Sequence, residues 1–113
     1  MKRLSGRVAV VTGAGSGIGR ATSLALAERG CSIAVIDVQR DGAEETADLI
    51  RSLGTRASVH VADVRDPKRM GELPSEVEGS LGSCRILVNN AGVTAAGAFA
   101  DETVEDLRWI VDI

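Results

Sequence analysis

Tyrosine is absent from this sequence, histidine occurs once as His60, and lysine occurs twice, as Lys2 and Lys68. No phenol is therefore on hand for proton transfer. His60 has no metal-ligand or nucleophile partner at useful spacing and reads as a hydrogen-bonded strand histidine. The two cysteines, Cys31 and Cys84, are far apart and form no C-x-x-C. Each opens an apolar run, so both read as buried free thiols, in keeping with a reducing cytoplasm. Positive charge is not in excess: the net charge is −3, which offers no electrostatic footprint for nucleic acid or an anionic membrane. No apolar run is long enough to cross a bilayer, and the one after Met1-Lys2-Arg3 is too short for a signal-peptide core. A cytoplasmic protein is the expectation. Aromatics are nearly missing, and Trp109 reads as packing. What remains is a globular composition, 44% hydrophobic and 26% charged, sufficient for one small domain.

The informative stretch is Thr12-Gly13-Ala14-Gly15-Ser16-Gly17-Ile18-Gly19. It joins the β-branched run Val8-Ala9-Val10-Val11 to a helical pattern that starts near Ile18. Strand, glycine-dense turn and helix start together make a phosphate cradle. Small residues let the backbone approach an anion, and the helix N-terminus presents unpaired N–H groups with a partial positive charge. The spacing discriminates further. The common dinucleotide fingerprint needs Gly at i, i+2 and i+5, but Ile18 stands five after Gly13. A P-loop fails because no Gly-Lys-Ser/Thr follows. The pattern present is T-G-x-x-x-G-x-G.

Strand-like and helical segments alternate along the chain. Ile18, Ala21, Leu24 and Ala25 recur at helical spacing up to a stop at Gly30, and Ile33 to Ile36 form a second strand. Asp41 is placed to cap the next helix, with Ala43, Ala47, Ile50 and Leu53 on one face and Gly54 after it. Ala57 to Val61 reads as a third strand, with Val59 and Val61 on one face and His60 on the other. Asp66-Pro67 opens a third helix whose face is Met70, Leu73, Val77 and Leu81. Pro74 interrupts that pattern and predicts a kink or two short helices. The fourth strand is Ile86-Leu87-Val88, and Thr103 caps a last helix with the stripe Val104, Leu107 and Val111. Glu44, Glu45 and Asp48, like Glu72, Glu76 and Glu78, read as solvated helix faces. The β-α alternation implies an α/β fold, a Rossmann-like doubly wound parallel sheet with strand order 3-2-1-4.

Asp37 closes the second strand, eighteen positions after Gly19. In a dinucleotide site an acidic residue there accepts hydrogen bonds from the adenosine ribose hydroxyls and repels a 2′-phosphate. The next residue is Val38, with no arginine beside it, and Ser16 in the turn is not basic, although Arg40 lies close by. NAD rather than NADP is the expected cofactor. Asp63-Val64 follows the third strand and Asn89-Asn90-Ala91-Gly92 the fourth, both at C-terminal strand ends, where ligands bind in open α/β sheets.

These four features, in this order, resemble the short-chain dehydrogenase/reductase family over essentially the whole chain. The resemblance implies that Gly13, Ser16, Gly17, Ile18 and Gly19 cradle the pyrophosphate of the cofactor and Asp37 holds its ribose. It further implies that Asp63 bonds the adenine amino group and Val64 packs on its ring. Asn90, Ala91 and Gly92 would border the adenosine ribose and the way to the nicotinamide. The loop from Val93 to Phe99 would contribute to a substrate pocket, and the helix from Thr103 to pairing of subunits into a homo-oligomer. The family's catalytic Asn, Ser and Tyr-x-x-x-Lys lie beyond a segment like Trp109-Ile110-Val111-Asp112-Ile113, and this sequence has no equivalents. Cys84-Arg85 and Pro74 depart from the family's usual residues.

The resulting expectation is that residues 1–113 are the N-terminal, NAD(P)-binding part of an alcohol/ketone oxidoreductase, inactive alone and with no metal site. The alternative is a non-catalytic nucleotide-binding or interaction module that naturally ends at Ile113. Against it stands Ile86-Leu87-Val88 as an edge strand with no charge to guard it, which predicts marginal or partner-dependent stability. A methyltransferase of similar topology is a distant third.

Overall fold

Seven elements follow one another in the computed structural model, which describes residues 4–90. They are β1 (Val8–Thr12), α1 (Gly17–Glu28), β2 (Ser32–Asp37), α2 (Arg40–Ser52), β3 (Ala57–Val61), α3 (Pro67–Ser80) and β4 (Cys84–Val88). The strands form one parallel sheet in the order β3-β2-β1-β4. The Rossmann-like order inferred from the alternation is therefore present. Parallel neighbours need crossovers, and the helices that make them cover both faces of the sheet, so the central strands are continuously apolar over Val8–Val11 and Ile33–Ile36. All five residues of β1 are buried.

Period-two alternation splits the core in two. Val8, Val10, Ala34, Ile36 and Leu87 meet Met70, Leu73 and Val77 of α3 on one face. Ala9, Val11, Ile33 and Val35 meet Ala27 of α1 and Ala43, Ala47 and Ile50 of α2 on the other. Because the chain steps outward from β1 to β3 and then returns to β4, the strand order reverses between β1 and β4. That switch point opens a crevice at the carboxyl ends of the strands.

Several local expectations change. α2 begins one residue before Asp41; Gln39 is its N-cap and makes no side-chain cap bond, so Asp41 acts as first-turn negative charge instead. α3 is one helix through Pro74, capped by the Asp66 side chain on the Arg69 amide. Proline removes a single helical bond, whereas Met70, Leu73 and Val77 bury apolar surface on both sides of it and hold the two halves together. On α1 the buried residues are Gly19, Ser23 and Ala27, while Ile18, Ala21 and Ala25 are exposed. Small residues win that face because the helix must start hard against the end of β1. Leu53 is also exposed, and Leu81 packs partly buried on the core.

The β4 edge does carry a charge. The register with β1 shifts between Val8, which pairs with Cys84, and Ala9, which pairs with Ile86, leaving the exposed Arg85 as the extra residue. A bulge and a charge both discourage edge-to-edge pairing. Cys31 is buried, but Cys84 only partly so. The expected final helix from Thr103, Trp109 and the Val93 to Phe99 loop lie outside the described residues, as do Ala91 and Gly92. Among the described residues no helix is long and apolar enough to cross a membrane.

Candidate functional site

After Thr12 the chain must reverse direction within four residues, and glycines supply the dihedrals. Gly13 has φ 63° and Gly17 φ 56°, both in the left-handed region that glycine enters without a Cβ penalty. Ser16 is the N-cap of α1, yet its side chain caps nothing. The first helical bond is from the Arg20 amide to the Ser16 carbonyl at 3.2 Å. The helix therefore starts with amides that have no intrahelical acceptor, next to exposed Ser16, Gly17 and Ile18. Gly19 is required by distance rather than dihedral, since a Cβ there would lie 2.0 Å from the Gly13 carbonyl oxygen.

Three sets of contacts hold this turn. At the switch point the Thr12 hydroxyl donates to Asn89 Oδ1 at 3.1 Å and accepts from the Asn90 amide at 2.9 Å. Asn90 Nδ2 reaches the Gly13 carbonyl at 3.4 Å, so the β4 end is tied to the first glycine. On the β2 side, Asp37 Oδ2 accepts from the Gly15 amide at 2.8 Å and Oδ1 accepts from the Gln39 amide at 2.9 Å. From α2, the Thr46 hydroxyl donates to the Ala14 carbonyl at 2.8 Å, and from α1 Arg20 reaches the Gly15 carbonyl at 2.6 Å. Arg20, Thr46 and the Thr12 hydroxyl were not legible as site residues. Thr12 and Thr46 hold backbone groups 78 and 32 positions away, and Arg20 bridges Gly15 to Gly42 of the next helix, so no local pattern marks them.

A cleft of about 330 Å³ opens beside the turn, lined by Gly13, Asp37, Val38, Asp63, Val64 and Arg65 among others. Gly13, Asp37, Asp63 and Val64, taken from three separate strand ends, are thus brought to one cavity. Val64 is largely buried and belongs to the core layer under α3, so it forms the floor of the cleft. Asp63 is clasped by Arg65, whose Nε and Nη2 donate at 3.0 Å and 2.8 Å while its amide donates at 2.9 Å. That side-chain hydrogen bonding, followed by the backbone bond, brings the Asp63 carboxyl down to about 2 from an ordinary 3.8, so it stays ionised. Val38 is 53% exposed at the mouth.

His60 stands apart from the cleft. It is buried, with Nε2 2.7 Å from the Ser58 hydroxyl and Nδ1 3.0 Å from Glu76. Glu76 also pairs with Arg69. The hydrogen-bonded strand histidine is borne out, while Glu76 is corrected from a solvated face to a partly buried link between α3 and β3. Glu78, two residues on, lies across the helix and is exposed, whereas Glu72, one turn earlier on the same face, is exposed but shares Arg69 with Glu76.

A family model described as short chain dehydrogenase matches residues 7–113. Versicolorin reductase 1 of Aspergillus parasiticus is 41% identical over 105 residues, which cover 92% of this chain and 40% of that protein. Cyclohexanol dehydrogenase of an Acinetobacter strain is 32% identical over 112 residues, covering 98% and 45%. The crystal structure of a short chain dehydrogenase from Mycobacterium paratuberculosis bound to NAD superposes with a TM-score of 0.75 at 35% identity, covering 97% of this chain and 45% of that one. The chain thus spans less than half the length of each.

Proposed function

The chain belongs to the short chain dehydrogenase family, and we propose that residues 1–113 form the NAD-binding part of an oxidoreductase that moves a hydride between nicotinamide and an alcohol or ketone carbon. One observation carries this reading: Gly13 of the glycine turn, Asp37 and Asp63 line a single cleft at the carboxyl ends of β1, β2 and β3, and Gly13 leads directly into the uncapped start of α1. In this reading the amides of Ser16, Gly17, Ile18 and Gly19 meet the pyrophosphate, where the α1 dipole favours negative charge. Gly13 and Gly19 leave the backbone room for that approach. Asp37 accepts from the ribose hydroxyls; its two oxygens each hold one amide already and have lone pairs to spare. Asp63 accepts from the adenine amino group and Val64 supports the ring. Asn90, with Ala91 and Gly92 after it, borders the ribose on the way to the nicotinamide.

NAD is favoured over NADP because a carboxylate stands where a 2′-phosphate would sit, followed by apolar Val38. The nearby cation Arg65 is already engaged by Asp63. The bound cofactor supplies the hydride acceptor or donor. The proton chemistry that the family resemblance assigns to a Tyr-x-x-x-Lys pair has no residues in this sequence, so these residues bind without turning over. In a complete protein the small-molecule substrate and a homo-oligomeric state follow from the same family reading, and a cytoplasmic location from the two cysteines read as free thiols.

Calorimetry with NAD and NADP tests the site: NAD binding more tightly supports it, and tighter NADP binding overturns the role of Asp37. Incubating the chain with NAD and a panel of alcohols is expected to yield no NADH, and sustained turnover would contradict the non-catalytic assignment.

A further inference from the structure

Arg20, on the first turn of α1, spends its guanidinium on the back of the glycine turn. Its Nη2 donates to the Gly15 carbonyl at 2.6 Å and to the Gly42 carbonyl at 3.3 Å. Its Nε donates to the Thr46 hydroxyl at 2.9 Å and its Nη1 to Glu45 at 2.8 Å. Thr46 in turn donates to the Ala14 carbonyl at 2.8 Å. Two consecutive carbonyls of the turn, at Ala14 and Gly15, are therefore both drawn toward α2.

The peptide group is planar and trans, so a carbonyl and the next amide point in opposite directions. With the Ala14 carbonyl held by Thr46, the Gly15 amide must point the other way, and it does, onto Asp37. By the same geometry, the Gly15 carbonyl held by Arg20 turns the Ser16 amide away from α2. That peptide lies in a run rich in glycine, where rotation of a whole peptide plane meets little steric resistance. Turned over, it would present a carbonyl oxygen where the Ser16 amide now stands.

The geometry points to Arg20 as a positioning residue that fixes the orientation of the Gly15–Ser16 peptide, and so the first anion-binding donor of the turn. It acts through the backbone, on ligands that carry a pyrophosphate, and leaves adenosine recognition at Asp37 and Asp63 untouched. This inference rests on the dinucleotide reading above. The planar fork is essential to it: a lysine ammonium carries the charge but cannot grip Gly15, Gly42 and Thr46 at once.

The test is calorimetry on the full 113-residue chain with two ligands, ADP-ribose and adenosine, comparing wild type, Arg20→Met and Arg20→Lys. Arg20→Met is expected to weaken ADP-ribose binding about tenfold, as for loss of one well-placed charge-assisted contact, and to leave adenosine within about twofold. Arg20→Lys is expected to recover only part of the loss. Equal weakening of both ligands would indicate general loosening and overturn the proposal, as would an unchanged ADP-ribose affinity or full recovery by Lys. If Arg20→Met does not fold by far-UV circular dichroism, Arg20→Lys carries the same two-ligand comparison. A folded wild type that binds neither ligand overturns the dinucleotide reading itself, whereas a wild type that binds ADP-ribose while Arg20→Met binds it equally overturns the role of Arg20 alone.

Discussion

The Asp37 carboxylate accepts a hydrogen bond from the Gly15 amide at 2.8 Å, across 22 positions of sequence. The acid that closes β2 is thereby a structural strut of the glycine turn as well as a proposed acceptor for ribose. A Cβ on Gly15 would stand 2.9 Å from that same carboxylate oxygen, so the turn and the acid are fitted to each other.

The two roles of Asp37 separate under substitution. Asp37→Asn keeps an oxygen for the Gly15 amide and loses the charge. Its NH2 cannot accept from the exposed Gln39 amide, so it is expected to melt slightly below wild type but above Asp37→Ala, while raising NADP affinity relative to NAD. Asp37→Ala leaves the Gly15 amide without its acceptor, a loss of about 1–3 kcal/mol if water does not replace it. Thermal melts with calorimetry on both cofactors check this; equal losses of NAD and NADP in the Asn variant would contradict the charge argument.

Glycine-to-alanine changes at two helical positions are expected to have opposite signs. At Gly19 the added Cβ meets the Gly13 carbonyl oxygen at 2.0 Å and Asn90 Nδ2 at 2.7 Å, so the backbone must shift, at about 1–3 kcal/mol or more. At Gly71 in α3 nothing lies within 4 Å, and the gain in helix propensity is about 0.5–1 kcal/mol. Gly71→Ala should raise the melting temperature and Gly19→Ala lower it and weaken NAD binding. A Gly19→Ala chain that melts higher than wild type would refute the close approach.

Acid acts on the Asp63–Arg65 pair. The folded-state carboxyl is depressed to about 2 from 3.8, so the contribution of the pair is present above the ordinary aspartate value and fades as pH falls toward 2. Carboxyl-carbon NMR should place the Asp63 midpoint near 2, moving up toward 3.8 in Arg65→Gln. The pair is exposed, so little change in melting temperature is expected at neutral pH.

Glu76 links α3 to β3, with Arg69 and His60 as its partners. Its carboxyl is held below the ordinary glutamate range, first by the Arg69 hydrogen bond and then, against some desolvation, by His60. Stability from this link is therefore present above the usual glutamate value and lost as pH falls through the lowered one. Glu76→Gln is expected to cost about 1 kcal/mol, read from urea unfolding at neutral pH, whereas Glu78→Gln on the exposed face should cost nothing measurable.

Much of the fold was legible because its signals are local. Short apolar runs, helix stops at Gly30 and Gly54 and the Asp66-Pro67 start each sit within a few residues of the feature they specify. The failures share a cause. The buried side of α1 was misplaced because Gly19 and Ser23 carry no hydrophobic signal; they are buried by how closely the helix meets β1. Pro74 does not break α3 because the burial of Met70, Leu73 and Val77 on either side of it outweighs one lost local bond. The exposed reading of Glu76 failed because its partner His60 is 16 positions away.

The sequence by itself determined which elements form, their parallel order and the chemical set of the candidate site: a glycine turn, then acids at the ends of the second and third strands. Those depend on backbone dihedrals, side-chain periodicity and spacing, which a chain carries before it folds. Only the tertiary structure decided how that set is oriented. Asp37, Arg20, Thr46 and Thr12 each hold a backbone group of the turn or of the segment after β4, and the partners lie from 5 to 78 positions apart. The direction in which each peptide of the turn points follows from those contacts, because a planar peptide bonded on one side has its other side fixed.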